Sequence, residues 1–208
     1  MVLAWGALFP VGILIARFWK ITPRQDWPRE LDNQLWWRAH LRLQYTGGIA
    51  MLAGLVMIML SETGDSTHTY VGWFVIGFAG LQFLAGWFRG TKGGPTDTNL
   101  RGDHFDMTFR RLAFEHFHKI AGYALLSLAA WGVASGMWQT NAPVWMWMSL
   151  VLWWSILITT FVILQRRGMA VDTYQAIWGP DPSLPGNQRP PIGWGVKRQS
   201  LKERTPAE

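Results

Sequence analysis

The side chains best able to do chemistry in this 208-residue chain are its five histidines, His40, His68, His104, His116 and His118. All but His104 fall in or at the edge of long apolar runs, where an ionisable side chain is costly and is a functional hypothesis by default. Imidazole is a common ligand of haem iron. His40 stands about five residues into one run and His118 about six into another, counted from the same side, so at roughly 1.5 Å rise per residue both sit about one and a half turns inside. Two neutral imidazoles at matched depth on two helices are a candidate pair for one haem between them. A single histidine there would read as an interfacial residue snorkelling to headgroups; two at one depth favour the haem.

The neighbours of these histidines carry the same reading. In His118-Lys-Ile-Ala-Gly122 the glycine lies one turn beyond the imidazole on the same face. With no side chain there, a flat macrocycle can lie against the helix. His68-Thr-Tyr-Val-Gly72 repeats the spacing, and His40 is followed on its face by Gln44 and then Gly47. Close helix packing is the other use of such glycines, and Gly132 and Gly136 read as that. Haem propionates need cations or water. Arg17, Arg38, Arg42, Arg110 and Lys119 are candidates, with Arg42 and Lys119 nearest the paired histidines in sequence. Anchoring to headgroups accounts for most of the rest. His68 lies at the opposite end of the bundle with no evident partner: it binds an outer haem, or it caps its helix. His116 points to a different face from His118. His104, in Asp103-His-Phe-Asp106, reads as a solvated loop residue.

Helices must position these residues, and five runs are apolar enough to cross a bilayer core, which takes about 20 residues. They are 2–19, 35–60, 68–88, 112–138 and 144–164. Pro10 interrupts the first, a break that neighbouring helices can repair. The connections alternate in charge. Lys20, Arg24, Arg29 and Arg38 occupy the first, and Arg89, Lys92, Arg101, Arg110 and Arg111 the third. The second has Glu62 and Asp65 and no base, and the fourth is uncharged; the tail opens with Arg166-Arg167 and later has Lys197, Arg198, Lys202 and Arg204. The positive-inside rule then places the N-terminus outside and the C-terminus in the cytoplasm. Residues 1–168 are expected to form the transmembrane domain. Residues 169–208 are expected to form a Pro/Gly-rich cytoplasmic tail, exposed and extended from about Gly179.

Composition agrees with a membrane setting. Half of the residues are hydrophobic and 15 are Trp, a side chain favoured at the membrane–water boundary. The net charge of +6 sits beside apolar runs, which favours lipid over nucleic acid as the partner. The absence of cysteine excludes disulfides, iron–sulfur clusters and c-type haem. No separate signal peptide is read at the start. No acidic residue lies well inside a span and no helices are paired and discontinuous, which argues against a transporter.

These motifs, in this order, resemble the cytochrome b561 family, especially the domains attached to DOMON domains. The resemblance covers about residues 4–137. Its segments are Ala4-Trp-Gly-Ala-Leu-Phe-Pro-Val-Gly12 with Ala16-Arg17, His40-Leu-Arg-Leu-Gln44, His68-Thr-Tyr-Val-Gly72 with Leu81-Gln82, and His118-Lys-Ile-Ala-Gly122-Tyr123. It implies a four-helix core that binds two haems b, one near each membrane face; with the fifth apolar run, the chain is expected to be an all-α integral membrane protein of five transmembrane helices. It also implies ligand pairs across alternate helices. One pair falls on His40 and His118. The other would set His68 against a first-helix histidine that lies before the segment matched by Met1–Gly6. One inner haem b is therefore expected, and an outer one only if another group faces His68.

The function expected is transmembrane electron transfer, since two imidazoles saturate the iron and leave no position for a substrate. The chain is then an electron carrier rather than a stand-alone catalyst. Quinol, an ascorbate-like reductant or a partner cytochrome would supply or accept the electron, and the bacterial inner (plasma) membrane is the expected location. The alternative is an accessory or structural subunit of a larger membrane redox or photosynthetic complex, with one haem or none. The Trp-rich fifth helix and the tail would then contact the other subunits.

Overall fold

Pro10 decides how the chain begins. It has no N–H, so the carbonyl one turn before it, on Gly6, loses its helical partner. In the structure, a computed structural model describing residues 1–61 and 64–199, the turn Ala4–Leu8 widens into a π-helix that runs on as an α-helix over Phe9–Phe18. Together these form α1. The freed Gly6 oxygen accepts two indole N–H groups, from Trp153 at 2.9 Å and Trp154 at 3.1 Å. Two tryptophans of a distant helix thus complete the hydrogen bonding that proline interrupted.

The remaining long helices are α2 (Leu35–Met59), α3 (Thr67–Trp87), α5 (Phe109–Gln139) and α6 (Val144–Arg166); two short ones, α4 (Asp103–Asp106) and α7 (Thr173–Trp178), lie in the connections. Side-chain caps start two of them. Ser66 Oγ accepts the Thr69 N–H ahead of α3, and Thr108 Oγ1 accepts that of Arg111 at the start of α5. Four helices, α2, α3, α5 and α6, are long and apolar enough to cross a membrane. The first run forms a helix of only Ala4–Phe18, which at about 1.5 Å per residue is shorter than a bilayer core of roughly 30 Å.

Helix α2 packs along α1, α5 along α3, and α6 against α1. The shared core comprises Ala4, Trp5 and Phe9 of α1, Met51 of α2, Val75 and Ala79 of α3, Leu125, Ala129, Val133 and Met137 of α5, and Leu150 of α6. The α5 members recur every fourth residue, the stripe that a helix turns towards a neighbour. Large apolar side chains such as Trp73, Phe74, Ile120 and Val151 face outwards, and only 6% of the apolar stretch of α6 is buried. An apolar exterior of this extent fits lipid rather than water.

Much of the stretch from 181 to 195 is exposed, as expected of the tail, but the residues ahead of Gly179 are packed. Residues 171–177 are buried beneath the ends of the helices that carry the basic residues. Tyr174 is 1% exposed, donates its hydroxyl to the Phe105 carbonyl at 2.9 Å, and packs on Gly186, where a Cβ would come within 2.3 Å of the ring. Arg198 binds Asp172 at 3.0 Å and the carbonyls of Gly186 and Asn187 at 2.7 Å. A stretch low in apolar residues is thus held by side-chain bonds to its own carbonyls, which composition does not reveal. Glu62, Lys202 and Arg204, used above to assign orientation, lie outside the described residues.

Candidate functional site

A cavity of about 560 Å³ opens between α1, α2, α3 and α5, towards the end of the bundle that carries Arg17, Lys20 and Arg89. That volume falls in the range of about 300–1,000 Å³ usual for cofactor sites. His40 and His118 both line it, from α2 and α5. The apolar wall includes Trp5, Phe9, Ile13, Trp36, Trp37, Phe83, Phe114 and Leu125.

Helix α1 sets the state of His40. The His40 Nδ1 lies 3.0 Å from the Gly12 carbonyl oxygen. A carbonyl can only accept, so Nδ1 carries the proton and Nε2 keeps its lone pair, the arrangement typical of a metal-ligating histidine. Helices α1 and α2 come this close because Gly12 is bare: a Cβ there would stand 2.5 Å from Gln44 Nε2 and 3.3 Å from Leu43 Cβ. The His118 ring lies 5.1 Å from that of Phe114, and its Nδ1 is buried without a hydrogen-bond partner among the described residues. Gln82 of α3, also on the wall, has both amide atoms buried and unpartnered. Such orphaned polar atoms around a roomy cavity call for a partner within it.

The other expected site residues divide. Gly122 lines the cavity, and a Cβ there would meet nothing within 4 Å. Gln44 lines it as well, its amide directed at the Phe9 carbonyl at 3.4 Å. Gly47 is not brought to the cavity: a Cβ would lie 2.5 Å from the Phe9 ring, so this glycine serves helix packing. Gly72 faces open space at the far end of α3, away from the cavity. Arg42 and Arg38 are exposed, and Arg110 is exposed and donates to the Phe88 carbonyl at 2.8 Å. None of these three arginines is on the wall. His68 Nδ1 lies 3.0 Å from Ser135 Oγ, and the ring sits where a Cβ of Gly136 would be. That glycine is a packing residue, as expected. His116 is exposed and bonds the Leu112 carbonyl of its own helix.

One end of the cavity is cationic. Arg17, Lys20, Arg89, Arg111 and Lys119 line it, against Glu115 as the one carboxylate there among the described residues. Glu115 is 3% exposed and accepts from Arg111 at 3.0 Å and Lys119 at 2.6 Å. Lys20 donates to the carbonyls of Arg17 and Val171. Burial, with repulsion from Lys119, lowers its pKa to about 7. Arg17 pairs with Tyr123 and Gln165 and with the Trp194 carbonyl.

His104 corrects another expectation. It is 1% exposed rather than solvated, packed edge-on against Tyr174 and Trp178, with Nε2 3.5 Å from Glu115. Burial and the Arg111 charge hold its imidazole neutral, with a pKa well below the usual histidine range. Glu115 and Lys20 were not singled out in the sequence. The i, i+4 run Arg111–Glu115–Lys119 is the signal that points to Glu115.

His40 and His118 thus face one cavity inside a bundle of long apolar helices. Sequence comparison places known proteins beside this chain. Over 140 residues the chain is 29% identical to a cytochrome b561, DM13 and DOMON domain-containing protein of Arabidopsis thaliana, covering 66% of this chain and 14% of that protein. It is 26% identical over 140 residues to a cytochrome b561 and DOMON domain-containing protein of the same plant, covering 65% of this chain and 26% of that protein. These matches support a cytochrome b561 family relationship for this integral membrane chain. No family model and no solved structure matches.

Proposed function

We propose that the chain is a transmembrane electron-transfer protein that holds haem b between His40 and His118. The observation that carries this is the His40–Gly12 bond, which leaves Nε2 of His40 free to ligate in a cavity that His118 also lines. The donor set fits the group. Two neutral imidazoles suit haem iron, Gly122 leaves a bare surface for a flat ring, and Arg17, Lys20, Arg111 and Lys119 offer positive charge for two propionates. Bound there, haem b supplies one-electron redox chemistry at its iron.

The protein's own part is to hold and to insulate. The Gly12 carbonyl orients His40, the aromatic wall excludes water, and the cations offset the acid groups of the cofactor. With both imidazoles as ligands the haem would keep no position for a substrate, and the chemistry it would supply is electron transfer. Donor and acceptor are then outside the chain: a quinol, an ascorbate-like reductant or another cytochrome. The five-span arrangement, with the short α1 as its first helix and α6 as its fifth, and the basic ends in the cytoplasm of a bacterial inner membrane, belongs to this proposal. So does an outer site at His68, whose Nδ1 is similarly engaged by Ser135.

The test is a pyridine haemochrome on purified protein. Unmodified chain should contain at least one haem b, and His40→Ala and His118→Ala should each lose the inner one. Full haem content in both variants overturns the assignment.

A further inference from the structure

We infer that Gln165 is a positioning residue that ties a C-terminal lid to Arg17 at the inner mouth of the cavity. Gly193 and Val196 line that mouth from below. The segment between Ile192 and Val196 is held by three of its carbonyls. Lys119 Nζ donates to Ile192 at 3.0 Å, Arg17 donates to Trp194, and Gln165 Nε2 donates to Gly195 at 2.8 Å. The turn needs glycine: Gly193 and Gly195 have φ of +122° and +61° on either side of Trp194.

Gln165 serves both partners at once. Its Oε1 accepts from Arg17 Nε at 3.2 Å and Nη2 at 2.8 Å, while its N–H group binds the lid. No carboxylate pairs with Arg17 among the described residues, so this amide oxygen, the Trp194 carbonyl and the Tyr123 hydroxyl supply its hydrogen bonds. Aromatic rings enclose the rest: the guanidinium lies 5.2 Å from the Phe161 ring centre and 5.9 Å from that of Trp194, and these two rings are parallel within 4°. Loss of the Gln165 amide would loosen the lid and free a cation on the cavity wall together. The redox consequence rests on the proposed function; the lid itself does not.

The chain has no cysteine, so Val196→Cys gives a single thiol on the lid. The full-length protein in detergent is treated with a polar maleimide, with Lys197→Cys as the exposed reference. Val196→Cys should react slowly in the otherwise unchanged chain. With Gln165→Leu or Gln165→Glu added it should react roughly tenfold faster, the shift expected from losing about one net hydrogen bond. Glutamate can still accept from Arg17 but cannot donate to Gly195, so it separates the two bonds. In haem-loaded protein the midpoint potential should be lower for Gln165→Glu than for Gln165→Leu, because a carboxylate then faces Arg17 beside the cofactor. Trp194→Ala, at a side chain that is 74% exposed, loosens the lid without touching Gln165 and should also speed labelling. A Val196→Cys thiol as reactive as Lys197→Cys from the start, or unchanged by both Gln165 variants, overturns the inference. If no haem binds, labelling still decides the lid, and haem content alone reports the failure of the proposed function.

Discussion

His40 of α2 donates a hydrogen bond from Nδ1 to the carbonyl of Gly12 on α1, 3.0 Å away, across a helix contact where a Cβ on Gly12 would crowd Gln44 and Leu43. The ligand state of one helix is thus set by the backbone of another. Gly12→Ala should force Gln44 and Leu43 aside and weaken that bond. An overpacked helix contact typically costs about 1–3 kcal/mol. Thermal unfolding should show the loss of stability, and a haemochrome assay a lower haem content.

Two glycines on α5 should respond in opposite ways. Gly122 faces open cavity, so Gly122→Val should leave the haem-free protein within about 1 kcal/mol of the parent while filling space the cofactor needs. Gly136→Ala places a methyl 2.7 Å from His68 Cε1 and should displace that ring, with lower stability and no loss of inner haem. Unfolding curves and haem titrations of the pair test both statements.

Glu115 holds a buried charge network together. Glu115→Ala leaves Arg111 beside a neutral His104 and removes the carboxylate partner of Lys119. Breaking a buried pair from one side usually costs about 3–5 kcal/mol. The variant should unfold at lower temperature, and Arg111→Met combined with it should recover part of the loss. A double variant no better than the single one would count against a charge-driven effect.

Lys20 predicts a pH dependence. Burial pushes its pKa down from an ordinary value near 10.5 to about 7. Between those values the unfolded chain binds a proton that the folded chain does not, so stability rises with pH. The penalty is fully present below about pH 7 and is relieved as pH climbs towards 10.5. The haem-free protein should melt at higher temperature at pH 9 than at pH 7, and Lys20→Met should flatten that difference.

The histidine pair was legible in the sequence because helix rise turns residue count into depth, so His40 and His118 could be matched without knowing which helices touch. Apolar run length marked five spans, and among the described residues four of them form helices long enough to cross a membrane while the first forms a shorter one. The rest needed neighbours distant in the chain. Gly47 and Gly122 look alike in sequence, yet one is filled by Phe9 and the other is open. His104 reads as a loop residue until α7 and Glu115 enclose it.

Run length and hydropathy by themselves determined the long apolar helices, because these follow from backbone rise and water transfer within one segment. Tertiary structure alone decided which carbonyl orients His40, which cations face the cavity and which tail residues line it. Those depend on pairings across long loops, where a backbone oxygen has no side chain to announce it.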